Sequence, residues 1–261
     1  MDCKKVLTIA GSDCSGGAGM QADLKTMTAL GVYGMSVITA LTAQNTMGVS
    51  EVAPVEPAFV RKQLEAVFSD IVPDAVKIGM LANSEIIEVI ADFLENFPQV
   101  PVVLDPVMVS TSGHCLLEPI AKETLERKLF PLAKVITPNL PEAEVLLGRK
   151  ITTSQEMEQA AKDLFTKYHC SVLVKGGHCE SKASDILYTD EKLYEFSGEV
   201  MDNPNKHGTG CTLSSAIASY LAKGHDLVAS CEFGKQYVER ALAVNLDLGK
   251  GKGPLWHLVS L

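Results

Sequence analysis

The chain has 261 residues, of which 46% are hydrophobic and 21% charged, a balance that suits one large α/β core and excludes a disordered chain. Its net charge of −9 argues against non-specific nucleic-acid binding, whose affinity comes from Lys and Arg on phosphates. Seven cysteines (3, 14, 115, 170, 179, 211 and 231) are scattered and show no Cys-x-x-Cys, no signal-like segment opens the chain, and no apolar run reaches the roughly 20 residues that span a bilayer, so a reduced, soluble, cytoplasmic protein is expected. Residues 4–10 read as a buried strand. A loop with four glycines (11–19) follows, and Met20, Leu24, Met27 and Leu30 then mark a helix face. The loop lacks the Lys-Ser/Thr pair of a P-loop. Asp23, one turn into the helix, reads by itself as a solvated side chain.

A second apolar run (33–43) ends in Gln44-Asn45-Thr46. A primary amide at the carboxyl end of a strand donates and accepts at once, which suits a heterocycle carrying an amino group beside a ring nitrogen. A short strand is expected at 49–55, a helix at 57–68, and a strand at 75–79 that delivers Met80, itself core-like by type. A helix at 85–97 and a strand at 102–104 lead to Asp105-Pro106-Val107. An acid at a strand end can turn the chain or hold a hydrated magnesium ion. A helix at 118–129 and a strand at 134–137 follow. Asn139 and Glu142 then open a helix, both as a capping pair and as two oxygens aimed at one point. The pattern continues with a helix at 154–168, a strand at 171–174 ending in Lys175-Gly176-Gly177-His178, and a hairpin over 185–188 and 192–196. The last long helix is expected at 232–246.

Between the hairpin and that helix lies His207-Gly208-Thr209-Gly210-Cys211, followed by Leu213, Ile217, Tyr220 and Leu221 at helical spacing. Such a helix start binds anions, because its free N–H groups and dipole favour negative charge, or it is simply a tight turn before a core helix. Cys211 in its first turn is expected to have a lowered thiol pKa. Alternating strands and helices predict one parallel-sheet sandwich spanning residues 1–261. The strand ends at Asp105, Asn139/Glu142 and Lys175 would then meet the Gly208 helix. An acid for a metal, a cation and an anion cradle together suggest phosphoryl transfer.

The segments Thr8–Asp13, Gly16–Gly19, Gln21–Thr26, Thr39–Thr46, Lys77–Leu81, Asp105–Met108, Thr137–Ala143, Lys175–His178 and His207–Ser214 closely resemble, in order, the hydroxymethylpyrimidine/phosphomethylpyrimidine kinases of thiamine biosynthesis, members of the ribokinase-like superfamily. The resemblance implies a ribokinase-like three-layer sandwich without a lid domain, ATP and Mg²⁺, and a homodimer. It maps a pyrimidine pocket onto Ala18, Asp23, Gln44, Met80 and Val107. Asn139, Glu142 and Lys175 fall at the nucleotide, Asp105 and Glu142 at the metal, and Gly208, Thr209, Gly210 and Cys211 at the catalytic anion hole. Most sugar kinases of the superfamily carry Asp where Cys211 stands, so either a thiolate or the phosphate itself would take the proton. Pyridoxal kinase, and a non-catalytic nucleotide- or vitamin-binding protein on the same fold, are the alternatives.

Overall fold

The computed structural model describes residues 3–108, 119–176, 184–198 and 201–259. Its strands are β1 (Lys5–Asp13), β2 (Tyr33–Asn45), β3 (Gly48–Pro54), β4 (Ala75–Ile78), β5 (Val102–Leu104), β6 (Val135–Ile136), β7 (Ser171–Val174), β8 (Asp185–Thr189) and β9 (Lys192–Phe196). They form one sheet in the order β3-β2-β1-β4-β5-β6-β7-β8-β9. The six from β2 to β7 are parallel, whereas β3, β8 and β9 pair antiparallel at the two edges. Side chains alternate across the strands and divide between two cores. Leu7, Ile9, Val102 and Leu104 face one side, where they meet α2 (Pro57–Asp70), α3 (Ser84–Leu94), α5 (Leu140–Leu147) and α6 (Ser154–Tyr168). Val6, Val103, Val135 and Leu173 face the other, under α1 (Gly19–Ala29), α7 (Thr209–Ala222) and α8 (Leu227–Ala243). The result is a three-layer sandwich with no lid domain among the described residues.

The chain passes from β1 outward to β2 and β3 and returns to the opposite side of β1 as β4. The crevice beyond the carboxyl ends at such a reversal is where open α/β sheets bind ligands.

Several elements shift by a few residues from their expected bounds, and three of these changes alter the layout of the chain. β1 runs past Ala10 to Asp13, pairing Ser12 with Leu41 after a register shift, so part of the glycine loop is strand. The expected helix at 118–129 is α4 (Pro119–Thr124), then a wider π-turn (Leu125–Leu129), and it closes in a 3₁₀ turn at Phe130–Leu132 that holds Pro131; residue 118 lies outside the described residues. α8 starts at Leu227 rather than 232, because the Asp226 carboxylate accepts the Ala229 N–H at 2.8 Å and caps it.

Candidate active site

A cavity of about 1100 Å³ opens at these carboxyl ends. β1 and its loop contribute Gly11, Asp13 and Ala18, β2 contributes Gln44, and the residues after β4 and β5 contribute Met80, Asp105 and Val107. Asn139, Glu142, Lys175 and the segment Gly208–Cys211 complete the wall. Each is placed by a local reason. Gly11 leaves room for Met80, whose sulfur lies 3.1 Å from where a Cβ would stand, and the Thr39 hydroxyl holds the Met80 carbonyl at 2.6 Å. Gly208 is left-handed (φ +86°), and a Cβ there would collide with the Gly17 carbonyl, so the start of α7 sits directly against the β1 loop.

Asn139 caps α5 by accepting the Glu142 N–H at 2.9 Å, while Glu142 accepts the Asn139 N–H at 2.8 Å. The capping box and the cavity position are therefore the same feature. Burial pushes the Glu142 carboxyl up to about 7, with Asp105 adding to the rise against Lys175 and the Asn139 N–H. The Lys175 ammonium lies 2.6 Å from Asp105 Oδ1, which also accepts the Thr137 hydroxyl at 3.1 Å. Burial works against the Lys175 charge, but Asp105 and Glu142 outweigh it and raise its pKa. A Cβ added at Gly210 would lie 3.2 Å from Asp105 Oδ2 and 3.4 Å from Lys175 Nζ. Acid, cation and helix start thus converge on a point that only glycine leaves open. Gly177 and His178, the rest of the Lys175 motif, lie outside the described residues.

Two expectations are corrected. Asp23 is neither a solvated side chain nor part of the pocket wall: it is fully buried beneath it. Lys77 Nζ meets both its oxygens at 2.9 and 2.8 Å, and the Thr8 and Ser215 hydroxyls donate at 2.6 and 2.7 Å. These bonds tie β1, α1, β4 and α7 together under the cavity floor. Cys211 does not have a lowered pKa either. Burial pushes its thiol up to about 11, with Asp23 and Asp105 adding to the rise, against Lys77 and the Gly19 N–H. Loss of water is the largest of these influences.

Asp13 and His207 are site residues that the sequence reading missed. Asp13 Oδ1 accepts the Ser15 N–H and hydroxyl at 2.9 and 2.7 Å, and its Oδ2 accepts the Gly17 and Ala18 N–H groups at 3.2 and 2.9 Å. His207 Nε2 is 2.9 Å from that same Oδ2. Burial opposes the Asp13 charge, but the His207, Ser15 and Ala18 donors hold its carboxyl well below the usual range. The available signal was Asp13-Cys14-Ser15-Gly16-Gly17, an Asp with Ser two positions on and two glycines after it, the chemistry of an Asx turn.

A ribokinase-like sandwich whose switch-point cavity gathers a buried ammonium, two carboxylates and an open helix N-terminus defines a small-molecule kinase. The comparisons narrow this class. The family model described as phosphomethylpyrimidine kinase matches residues 13–256, and the chain belongs to that family. It is 45% identical over 259 residues to the hydroxymethylpyrimidine/phosphomethylpyrimidine kinase of Haemophilus influenzae, covering 97% of this chain and 96% of the relative. It is 49% identical over 256 residues to the thiamine biosynthesis bifunctional protein of Geobacter sulfurreducens, covering 98% of this chain but only 52% of that longer protein. Among solved structures, phosphomethylpyrimidine kinase from Clostridium difficile 630 superposes with a TM-score of 0.80 at 48% identity, over 90% of this chain and 97% of that one. Pyridoxal kinase from Staphylococcus aureus in complex with AMP-PCP and pyridoxal superposes with a TM-score of 0.90 at 37% identity, over 99% and 94%.

Proposed function

We propose that the whole chain, acting as one kinase unit, phosphorylates 4-amino-5-hydroxymethyl-2-methylpyrimidine with ATP, and then phosphorylates the resulting monophosphate. The observation that carries the reading is Gln44, a donor–acceptor amide placed with Met80 and Val107 in the same cavity as Lys175 and the open start of α7. The substrate hydroxyl oxygen attacks the γ-phosphorus and ADP leaves. Lys175 and the N–H groups of Gly210 and Cys211 neutralise charge on the transferring group. Because the Cys211 thiol is pushed up to about 11, it is protonated at neutral pH. The hydroxyl proton passes to a phosphoryl oxygen rather than to a resting thiolate. Met201, Val238 and Leu242 supply apolar surface for the purine.

Asp105 and Glu142 fit a magnesium ion: both are buried hard oxygen donors at the cavity wall. When bound, it would screen the nucleotide phosphates.

The TM-score of 0.90 and 37% identity to a pyridoxal kinase make pyridoxal kinase the second reading. The test is ADP release from ATP with each alcohol. Preference for the pyrimidine is expected, and equal or better use of pyridoxal would overturn the assignment. We also infer a homodimer, supported by exposed Tyr33, Leu41, Met47 and Phe59 on β2, α2 and the β2–β3 turn, which light scattering checks. Cys3, Cys14, Cys170, Cys211 and Cys231 are free, which supports a reducing, cytoplasmic setting.

A further inference from the structure

Gln44 is one link in a chain of polar groups that runs from Ser12 to Asp13. As placed, its Oε1 lies 3.1 Å from Thr42 Oγ1 and its Nε2 lies 3.2 Å from His207 Nε2. Thr42 Oγ1 is also 2.9 Å from the Ser12 carbonyl, and His207 Nε2 is 2.9 Å from Asp13 Oδ2. Amide oxygen and nitrogen are assigned from their partners, so the protons along the chain decide between its two senses.

Both ends give the same answer. Asp13 accepts from four other donors, two on each oxygen, and so acts purely as an acceptor toward His207. The bond between them therefore needs the hydrogen on His207 Nε2. That nitrogen then has no lone pair for an amide N–H, and the Gln44 atom facing it must be the oxygen. At the other end, Thr42 has one hydroxyl hydrogen, which the Ser12 carbonyl takes. The Gln44 atom facing Thr42 must therefore donate, which makes it the nitrogen.

We infer that His207, held by Asp13, is a positioning residue that fixes the sense of the Gln44 amide and with it the direction in which the substrate ring lies. The inference rests on the proposed pyrimidine-kinase activity. With the oxygen on the His207 side and the nitrogen on the Thr42 side, one amide lone pair and one N–H stay free. A 4-aminopyrimidine must then direct its amino group toward His207 and its N3 toward Thr42. The 5-hydroxymethyl group is bonded next to the amino-bearing carbon, so it too falls on the His207 side. His207 is followed at once by Gly208, Thr209, Gly210 and Cys211, the anion-binding start of α7. The opposite sense of the amide would turn the hydroxyl away from the phosphoryl group.

The 4-oxo analogue of the substrate, in its N3–H form, carries the reverse order: an acceptor at position 4 and a donor at N3. It fits only a reversed Gln44. The test compares kcat/KM for the 4-amino and 4-oxo alcohols in the unmutated protein, in His207→Leu and in His207→Asn. The unmutated protein is expected to favour the amino compound by about 100-fold or more, since a site built for one hydrogen-bond pattern rejects the other. His207→Leu removes one of the two groups that hold the amide, leaving only the rotatable Thr42 hydroxyl, and should shrink that ratio by about tenfold or more, mainly through KM for the pyrimidine. His207→Asn, which keeps N–H donors, should restore much of it. A uniform loss on both compounds in His207→Leu, with the ratio unchanged, overturns the inference and leaves the kinase assignment standing. Failure of the unmutated protein to phosphorylate the amino compound overturns the assignment itself, and the inference with it. Nitrogen-15 NMR of the ring in the unmutated protein reads the proton position without turnover. Protonated Nε2 is expected, and a ring protonated only at Nδ1 overturns the inference even if the Leu variant does not fold.

Discussion

Acid should loosen the carboxyl-terminal tail through His257. This side chain is only 6% exposed, its Nε2 lies 3.0 Å from the Thr212 hydroxyl in the first turn of α7, and the Tyr237 hydroxyl donates to its carbonyl at 2.7 Å. With Nε2 unprotonated the ring accepts the Thr212 hydroxyl, whereas a protonated ring can only donate to it and must carry its charge in a buried place. Burial, with Lys25 assisting, pushes its pKa down from 6.5 to about 4. The unfolded chain therefore binds a proton that the native state refuses between these values. The stability concerned is complete above pH 6.5 and is lost as pH falls through about 4. At about 1.4 kcal/mol per pH unit, that gap amounts to about 3 kcal/mol. His257→Gln keeps an acceptor and removes the titration. Urea unfolding at pH 7 and pH 4, followed by the fluorescence of Trp256, the single tryptophan, measures the difference. Between those two pH values the unmutated protein should lose about 3 kcal/mol more than the variant. Parallel losses within about 1 kcal/mol would refute the reasoning.

Lys77→Met should destabilise the fold by about 3–5 kcal/mol, because it leaves the fully buried Asp23 carboxylate without its cation. Adding Asp23→Leu should recover much of that loss in chemical denaturation. Cys211→Ala should lower kcat by less than about tenfold at pH 7.5, since a protonated thiol is not a base; removal of a true general base costs about 10²–10⁴, and a loss of that size would reinstate the thiolate. Gln44→Met should reduce kcat/KM for the hydroxymethylpyrimidine by about 5–150-fold, the equivalent of about 1–3 kcal/mol for an unmatched hydrogen-bonding group, while use of pyridoxal changes much less.

Local patterns were legible in the sequence wherever local chemistry decides the structure. β5, α6 and β7 occupy the residues that their apolar runs indicated, and the β8–β9 hairpin follows from its two short runs. The Gly-x-Gly before an apolar helix located the start of α7, and Asn139 with Glu142 located that of α5. The start of α8 was equally local and was missed by passing over Asp226 as a cap. Asp23 was misread for a different reason. Its environment is made by Lys77 and Ser215, which lie 54 and 192 positions along the chain, and no periodicity within α1 carries that information. The same holds for Asp13 and His207, 194 positions apart. The Cys211 pKa was misjudged because the helix field is visible in sequence and the degree of burial is not.

The lock between Asp23, Lys77 and Ser215 has a consequence for synthesis. A ribosome delivers β1, α1 and β4 well before α7, so both members of the buried ion pair are synthesised before its last partner and its cover exist. Through that interval Val6, Ala75 and Val103 face outward on a sheet whose second layer still lacks α7 and α8. A nascent chain stalled before residue 209 would therefore present an apolar, strand-rich surface and an uncapped charge together, the condition in which partly made chains aggregate or engage chaperones. Completion of α7 and α8 ends this exposure and closes the second core.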